Sequence, residues 1–138
     1  MFKKVFIETS VLVRFLTRDD EEKYRDCEIF FEKIGSGELR PYLSSIVVLE
    51  LIFVLTKLYK FPKKKVLKDV GLLLGLRNLV LVERIKTAKA LSLFSKFKAG
   101  YADCLLASQV PLGVVLVTYD KHFSQMSFLN TVSPAEFG

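Results

Sequence analysis

Val114-Val115-Leu116-Val117-Thr118-Tyr119-Asp120 runs through four consecutive aliphatic residues and closes on a hydroxyl, a phenol and an acid. An apolar run this short, without polar alternation and with Gly113 before it, reads as a strand buried on both faces over residues 113–118. The start of the chain repeats the pattern: a strand over residues 2–7 contains Val5-Phe6-Ile7 and ends at Glu8. Further strands are predicted over residues 41–43, 79–82 and 129–132. Between them lie helical stretches. Ser10 is read as the cap of a short helix over 11–16, and Tyr24, Cys27, Phe30, Phe31 and Ile34 recur at helical spacing within 21–34. Gly35-Ser36-Gly37 stops that helix. Ser44 or Ser45 caps a helix to residue 59, and Pro62 opens another to 74. Helices over 86–97 and 101–109 are separated by Gly100, and a short one covers 121–125. Short apolar strands alternating with helices predict an α/β domain around a mainly parallel sheet of four or five strands. No linker or repeat divides residues 1–138, so one domain is expected.

In open parallel sheets, sites lie at the carboxyl ends of the strands, where strand order reverses. Glu8 and Asp120 both fall there, and right-handed crossovers allow their strands to be neighbours. Two further acids interrupt apolar helices. Glu50 lies between Ile46-Val47-Val48-Leu49 and Leu51-Ile52-Phe53-Val54-Leu55, and Asp103 opens Cys104-Leu105-Leu106-Ala107. On a helix, Ile46, Val47, Phe53 and Val54 flank the face of Glu50. Burying a carboxylate costs several kcal/mol unless a charge or metal compensates. Taken singly each acid has a structural explanation: a helix-leading acid for Glu8, a distant salt bridge for Glu50, a dipole partner for Asp103, an N-cap for Asp120. Four together, with no equally placed Lys or Arg, point to a shared hard cation.

Composition narrows the function classes. Half the residues are hydrophobic (51%) and mean hydropathy is +0.32, which fits strands covered on both sides and an apolar partner surface. A membrane helix over residues 43–58 is disfavoured by the central Glu50, and the N-terminus lacks the pattern of a secretory signal. Cys27 and Cys104 match no zinc or redox spacing, and His122 is the single histidine, so a His-rich zinc centre is excluded and a cytoplasmic location is expected. The net charge of +6 beside a cluster of acids suggests a polyanion approached by the surface and a cation held in a cleft. Arg14, Lys60, Lys63, Lys64, Lys65, Lys68, Arg84, Lys121 and His122 are the candidate polyanion contacts.

Four segments together resemble the PIN-domain ribonucleases, and among them the compact VapC-type toxins of toxin–antitoxin modules. They are Phe6-Ile7-Glu8-Thr9-Ser10-Val11-Leu12-Val13, Val48-Leu49-Glu50-Leu51, Tyr101-Ala102-Asp103-Cys104-Leu105-Leu106-Ala107 and Val117-Thr118-Tyr119-Asp120-Lys121-His122-Phe123. The ending Val132-Ser133-Pro134-Ala135-Glu136-Phe137 is also similar to the family's closing segment. The resemblance implies a three-layer α/β/α sandwich and hydrolysis of RNA with one or two Mg²⁺ or Mn²⁺ ions. It implies Glu8, Glu50, Asp103 and Asp120 as catalytic and metal-binding acids, and a homodimer with a cognate antitoxin. Thr9, Ser10 and Thr118 are expected to support the ligands, and Arg14, Lys121 and His122 to meet RNA. One departure stands out: the family's first acid is usually aspartate, and Glu8 is one methylene longer. That departure supports an alternative reading, a catalytically weak PIN-like module that binds RNA or protein. A receiver-like phosphate-transfer domain also clusters acids at strand ends, but Glu8 does not serve as its phosphoacceptor aspartate.

Overall fold

The computed structural model describes residues 3–138; the Phe2 end of the first predicted strand lies outside the described residues. Five strands, β1 (Lys3–Ile7), β2 (Leu39–Ser44), β3 (Val80–Val82), β4 (Val115–Val117) and β5 (Thr131–Val132), form one sheet in the order β3-β2-β1-β4-β5. Every pairing is parallel. Helices α1 (Thr9–Thr17) and α2 (Glu21–Gly35) connect β1 to β2. Helix α3 (Ser45–Phe53), a π-helical turn (Val54–Leu58) and α4 (Lys63–Leu74) connect β2 to β3, and α5 (Thr87–Lys96) and α6 (Tyr101–Gln109) connect β3 to β4. Val5, Phe6 and Ile7 are consecutive and all fully buried, as are Leu116 and Val117. Neighbouring strand residues point to opposite faces, so helices must cover both sides of the central strands, which makes three layers.

The chain builds outward from β1 through β2 to β3, then returns to lay β4 on the other side of β1. Strand order therefore reverses between β1 and β4, which pair through Val5–Val115, Phe6–Leu116 and Ile7–Val117. The carboxyl ends of these two strands carry Glu8 and the segment Thr118–Asp120, and the Glu8 amide donates to the Val117 carbonyl at 3.0 Å. The main core joins Phe6, Leu12, Phe30, Ile34, Leu43, Leu51, Leu55 and Leu116 across the layers. A smaller cluster packs Ala90 and Leu93 of α5 against Cys104 and Ala107 of α6, with Met126.

Several local expectations change. Helix α1 is capped by Glu8, whose carboxylate accepts from the Ser10 amide, and not by Ser10 itself. Ser44 does cap α3, accepting from the Ile46 amide. The helix expected to run to residue 59 switches at Val54 to a π-turn, sealed by the Tyr59 amide donating to the Val54 carbonyl at 3.1 Å. Side-chain periodicity cannot distinguish one wide turn from an α-turn. Residues 121–125 form a 3₁₀ turn, and a second such turn, Pro134–Phe137, places Phe137 against Phe30. Pro41 stands inside β2, although proline belongs at sheet edges. Partner β3 pairs only with residues Tyr42–Ser44, so Pro41 precedes the doubly paired part of the strand. No helix among the described residues is long and apolar enough to cross a membrane.

Candidate metal centre

Glu8 leaves β1 almost completely buried, at 6% exposure. Its Oε1 accepts three hydrogen bonds: from the Ser10 amide at 3.1 Å, and from the Ser10 and Thr118 hydroxyls at 2.5 Å each. Both hydroxyls also accept, Ser10 Oγ from the Tyr119 amide and Thr118 Oγ1 from the Asp120 amide, each at 2.9 Å. Glu8, α1 and the end of β4 are thereby stitched into one cradle. Its donors satisfy one oxygen of the carboxylate, and among the described residues none is bonded to Oε2. Both hydroxyls thus hold the carboxylate oxygen that the longer Glu8 side chain carries out from β1.

Glu50 is half-buried on α3 and accepts from the Thr9 hydroxyl at 3.2 Å. Burial raises its carboxyl above the usual range. The Thr9 bond lowers it in part, and the charges of Asp103, Glu8 and Asp120 raise it further. Asp103, in the first turn of α6, is pushed up to about 6, first by burial, then by Asp120 and Glu8, with His122 acting in the opposite direction. Asp120 caps the 3₁₀ turn, accepting from the His122 amide and lying 2.9 Å from His122 Nδ1. Four acids from β1, α3, α6 and the end of β4 thus share one electrostatic field. No Lys or Arg among the described residues bridges to any of them; their single ionic partner is His122. The salt bridge considered for Glu50 has no counterpart.

The donor set is all carboxylate oxygen, which suits Mg²⁺ or Mn²⁺ and not a soft metal. The raised carboxyls mark a deficit of positive charge that such an ion would fill. Among the described residues, no three His, Cys, Asp or Glu side chains are gathered closely enough for a ready-made ligand shell. The acids fit a hard cation by their oxygen donors and by their mutual repulsion.

The PIN domain sequence model matches residues 5–129, most of the chain and all four acids. The chain belongs to the PIN domain family. It is 29% identical over 134 residues to a VapC ribonuclease of Aquifex aeolicus (strain VF5), covering 94% of this chain and 96% of that protein. Two solved structures share the fold. VapBC-1 of nontypeable Haemophilus influenzae aligns with TM-score 0.68 at 15% identity, over 95% of this chain and 98% of that one. VapBC2 of Rickettsia felis, bound to a DNA fragment from its promoter, aligns with TM-score 0.64 at 18% identity, over 94% and 98%.

Within this PIN fold the remaining predicted residues have distinct placements. Lys121 lines a cavity of about 490 Å³ with Lys23, Thr118 and Asp120, and His122 lines one of about 250 Å³ with Lys98 and Asp103. Arg14 pairs with Asp19, at 3.0 Å. The sequence does not single out Lys23 and Lys98, because Lys23 reads as a solvated charge on a helix and Lys98 as part of the connection between two helices. Gln109 was also missed. It is 4% exposed, accepts from Ser44 Oγ at 2.6 Å and donates to the Arg84 carbonyl at 2.9 Å. It thereby fixes the start of α3 against the end of α6, the two helices bearing Glu50 and Asp103. An amide in the apolar α6 sequence was the available signal.

Proposed function

We propose that this PIN-domain protein is a Mg²⁺- or Mn²⁺-dependent endoribonuclease, the toxin of a cytoplasmic toxin–antitoxin pair. The carrying observation is that Glu8 and Asp120 stand at the ends of the two strands between which strand order reverses, while Glu50 on α3 and Asp103 on α6 feel the charge of both and are held above the usual carboxylate range. Similarity to the Aquifex VapC ribonuclease along nearly the full length of both chains supports the substrate class. The metal would be held by Glu8, Asp103 and Asp120, with Glu50 binding directly or through water. When bound, it lowers the pKa of water and neutralises the phosphoryl oxygens. Glu50, steadied by Thr9, orients the attacking water, and Ser10 and Thr118 keep Glu8 from swinging out of the cleft. Lys121, Lys98 and His122 at the rim offset repulsion between the acids and the RNA backbone. Attack on phosphorus breaks the bond to the leaving oxygen, which takes up a proton.

The VapBC complexes among the structural neighbours support an antitoxin partner. Exposed Leu49 and Phe53 on α3 support an apolar interface, which we assign to a homodimer. The whole of residues 1–138 is read as one PIN unit. Cleavage of a mixed structured-RNA pool with Mn²⁺, with Mg²⁺ and with chelator, beside Asp103→Asn, tests the proposal. Metal-dependent cleavage lost in the variant is expected. An inactive wild type would favour the catalytically weak module, a reading that the triple engagement of Glu8 Oε1 keeps in play.

A further inference from the structure

Helices α1 and α3, with the residues that follow each, are linked at two places. At the cleft, Thr9 donates to Glu50. At the far end, the Tyr59 hydroxyl donates to Asp19 Oδ2 at 2.6 Å, and Arg14 Nη1 donates to Asp19 Oδ1 at 3.0 Å. Both links join residues about forty apart, so the two helical segments run side by side in the same direction. Nine residues separate Glu50 from Tyr59, roughly 13 Å of helix. The π-turn Val54–Leu58 lies between them and sets the rotation at which Tyr59 emerges. The Asp19 carboxyl is held below its ordinary range, chiefly by the Tyr59 bond and then by Arg14. The Tyr59 phenol is raised by the same bond. Arg14, an expected RNA contact, is thus also one member of this cluster.

We propose that Asp19, Arg14 and Tyr59 form a remote strut that sets the height of Glu50 against Thr9, making them positioning residues for the proposed cleavage. The inference rests on the ribonuclease reading for its kinetic consequence and on the structure alone for its mechanical one. The α-helical ladder of α3 ends where the π-turn begins, and the Tyr59 bond to Asp19 ties down the residue just beyond that turn. A displacement of about 1 Å at Glu50 is enough to reduce turnover substantially.

Tyr59→Phe removes one hydroxyl and keeps the ring, which packs against Phe61. Asp19→Asn is the second variant and keeps the site's size. In metal-free protein, amide hydrogen exchange over residues 50–59 is expected to accelerate about tenfold in each variant, while exchange in α5 and α6 stays unchanged. With RNA and Mn²⁺, kcat is expected to fall about tenfold with KM little changed. Combining Tyr59→Phe with Thr9→Val should give less than the product of the two single effects. Unchanged exchange over residues 50–59 overturns the strut whether or not the wild type cleaves RNA. Accelerated exchange with full kcat overturns the positioning role. If the wild type cleaves nothing, the ribonuclease reading has failed by itself, and the exchange measurement still decides the strut.

Discussion

Asp103→Asn should make the metal-free protein more stable at neutral pH while abolishing its proposed activity. The Asp103 carboxyl is raised from 3.8 to about 6 by burial and by Asp120 and Glu8. A group whose affinity for protons is higher in the folded state favours folding while it stays protonated. Below about pH 4 it is protonated in both states and imposes no penalty. As pH rises from 4 to 6 the unfolded chain ionises first, and folded stability falls until the native carboxyl has ionised too. At full strength the shift corresponds to about 3 kcal/mol. Asp103 is only half-buried, and solvent screening leaves about 1–2 kcal/mol. The assay is urea unfolding of chelator-treated wild type and variant at half-unit steps from pH 3.5 to 7.5. The two should match near pH 3.5, diverge through pH 4–6, and differ by a constant 1–2 kcal/mol above pH 6.5, with the variant more stable. Added Mn²⁺ should then stabilise the wild type and leave the variant nearly unmoved. A pH-independent gap, or a variant less stable at pH 7, would refute the argument that burial, together with the charges of Asp120 and Glu8, penalises the ionised Asp103.

Glu8→Asp withdraws the carboxylate by about 1.5 Å from the Ser10 and Thr118 hydroxyls. It should lower stability by about 2–3 kcal/mol without raising cleavage; a large gain in RNA cleavage would mark the site as degenerate. Glu50→Gln should lose cleavage yet keep or increase metal-free stability, since its Thr9 bond survives and its charge does not; a fall of several degrees in Tm would make Glu50 a structural acid. Leu116→Ala, at a fully buried position in β4, should cost about 2–5 kcal/mol in urea unfolding, and a loss below 1 kcal/mol would contradict the burial of that strand on both faces.

The sequence by itself determined the type and order of nearly all elements, because apolar runs and helical spacing are local signals. Val114–Val117 and Val5–Ile7 could be little other than strands covered on both sides, and the positions of Glu8 and Asp120 at strand ends followed at once. Their adjacency required tertiary structure. The pairing of β1 with β4 joins residues more than a hundred apart, and no local pattern encodes which strand lies beside which. The same holds for the cradle in which Ser10 and Thr118 grip Glu8, and for the buried Ser44–Gln109 bond. The Tyr59–Asp19 bond depends on how the end of α1 meets the segment after α3, whereas the Arg14–Asp19 pair is local, five residues apart. Local chemistry chose the acids and the strands. Long-range packing chose their neighbours, and a carboxylate's proton affinity is set by its neighbours.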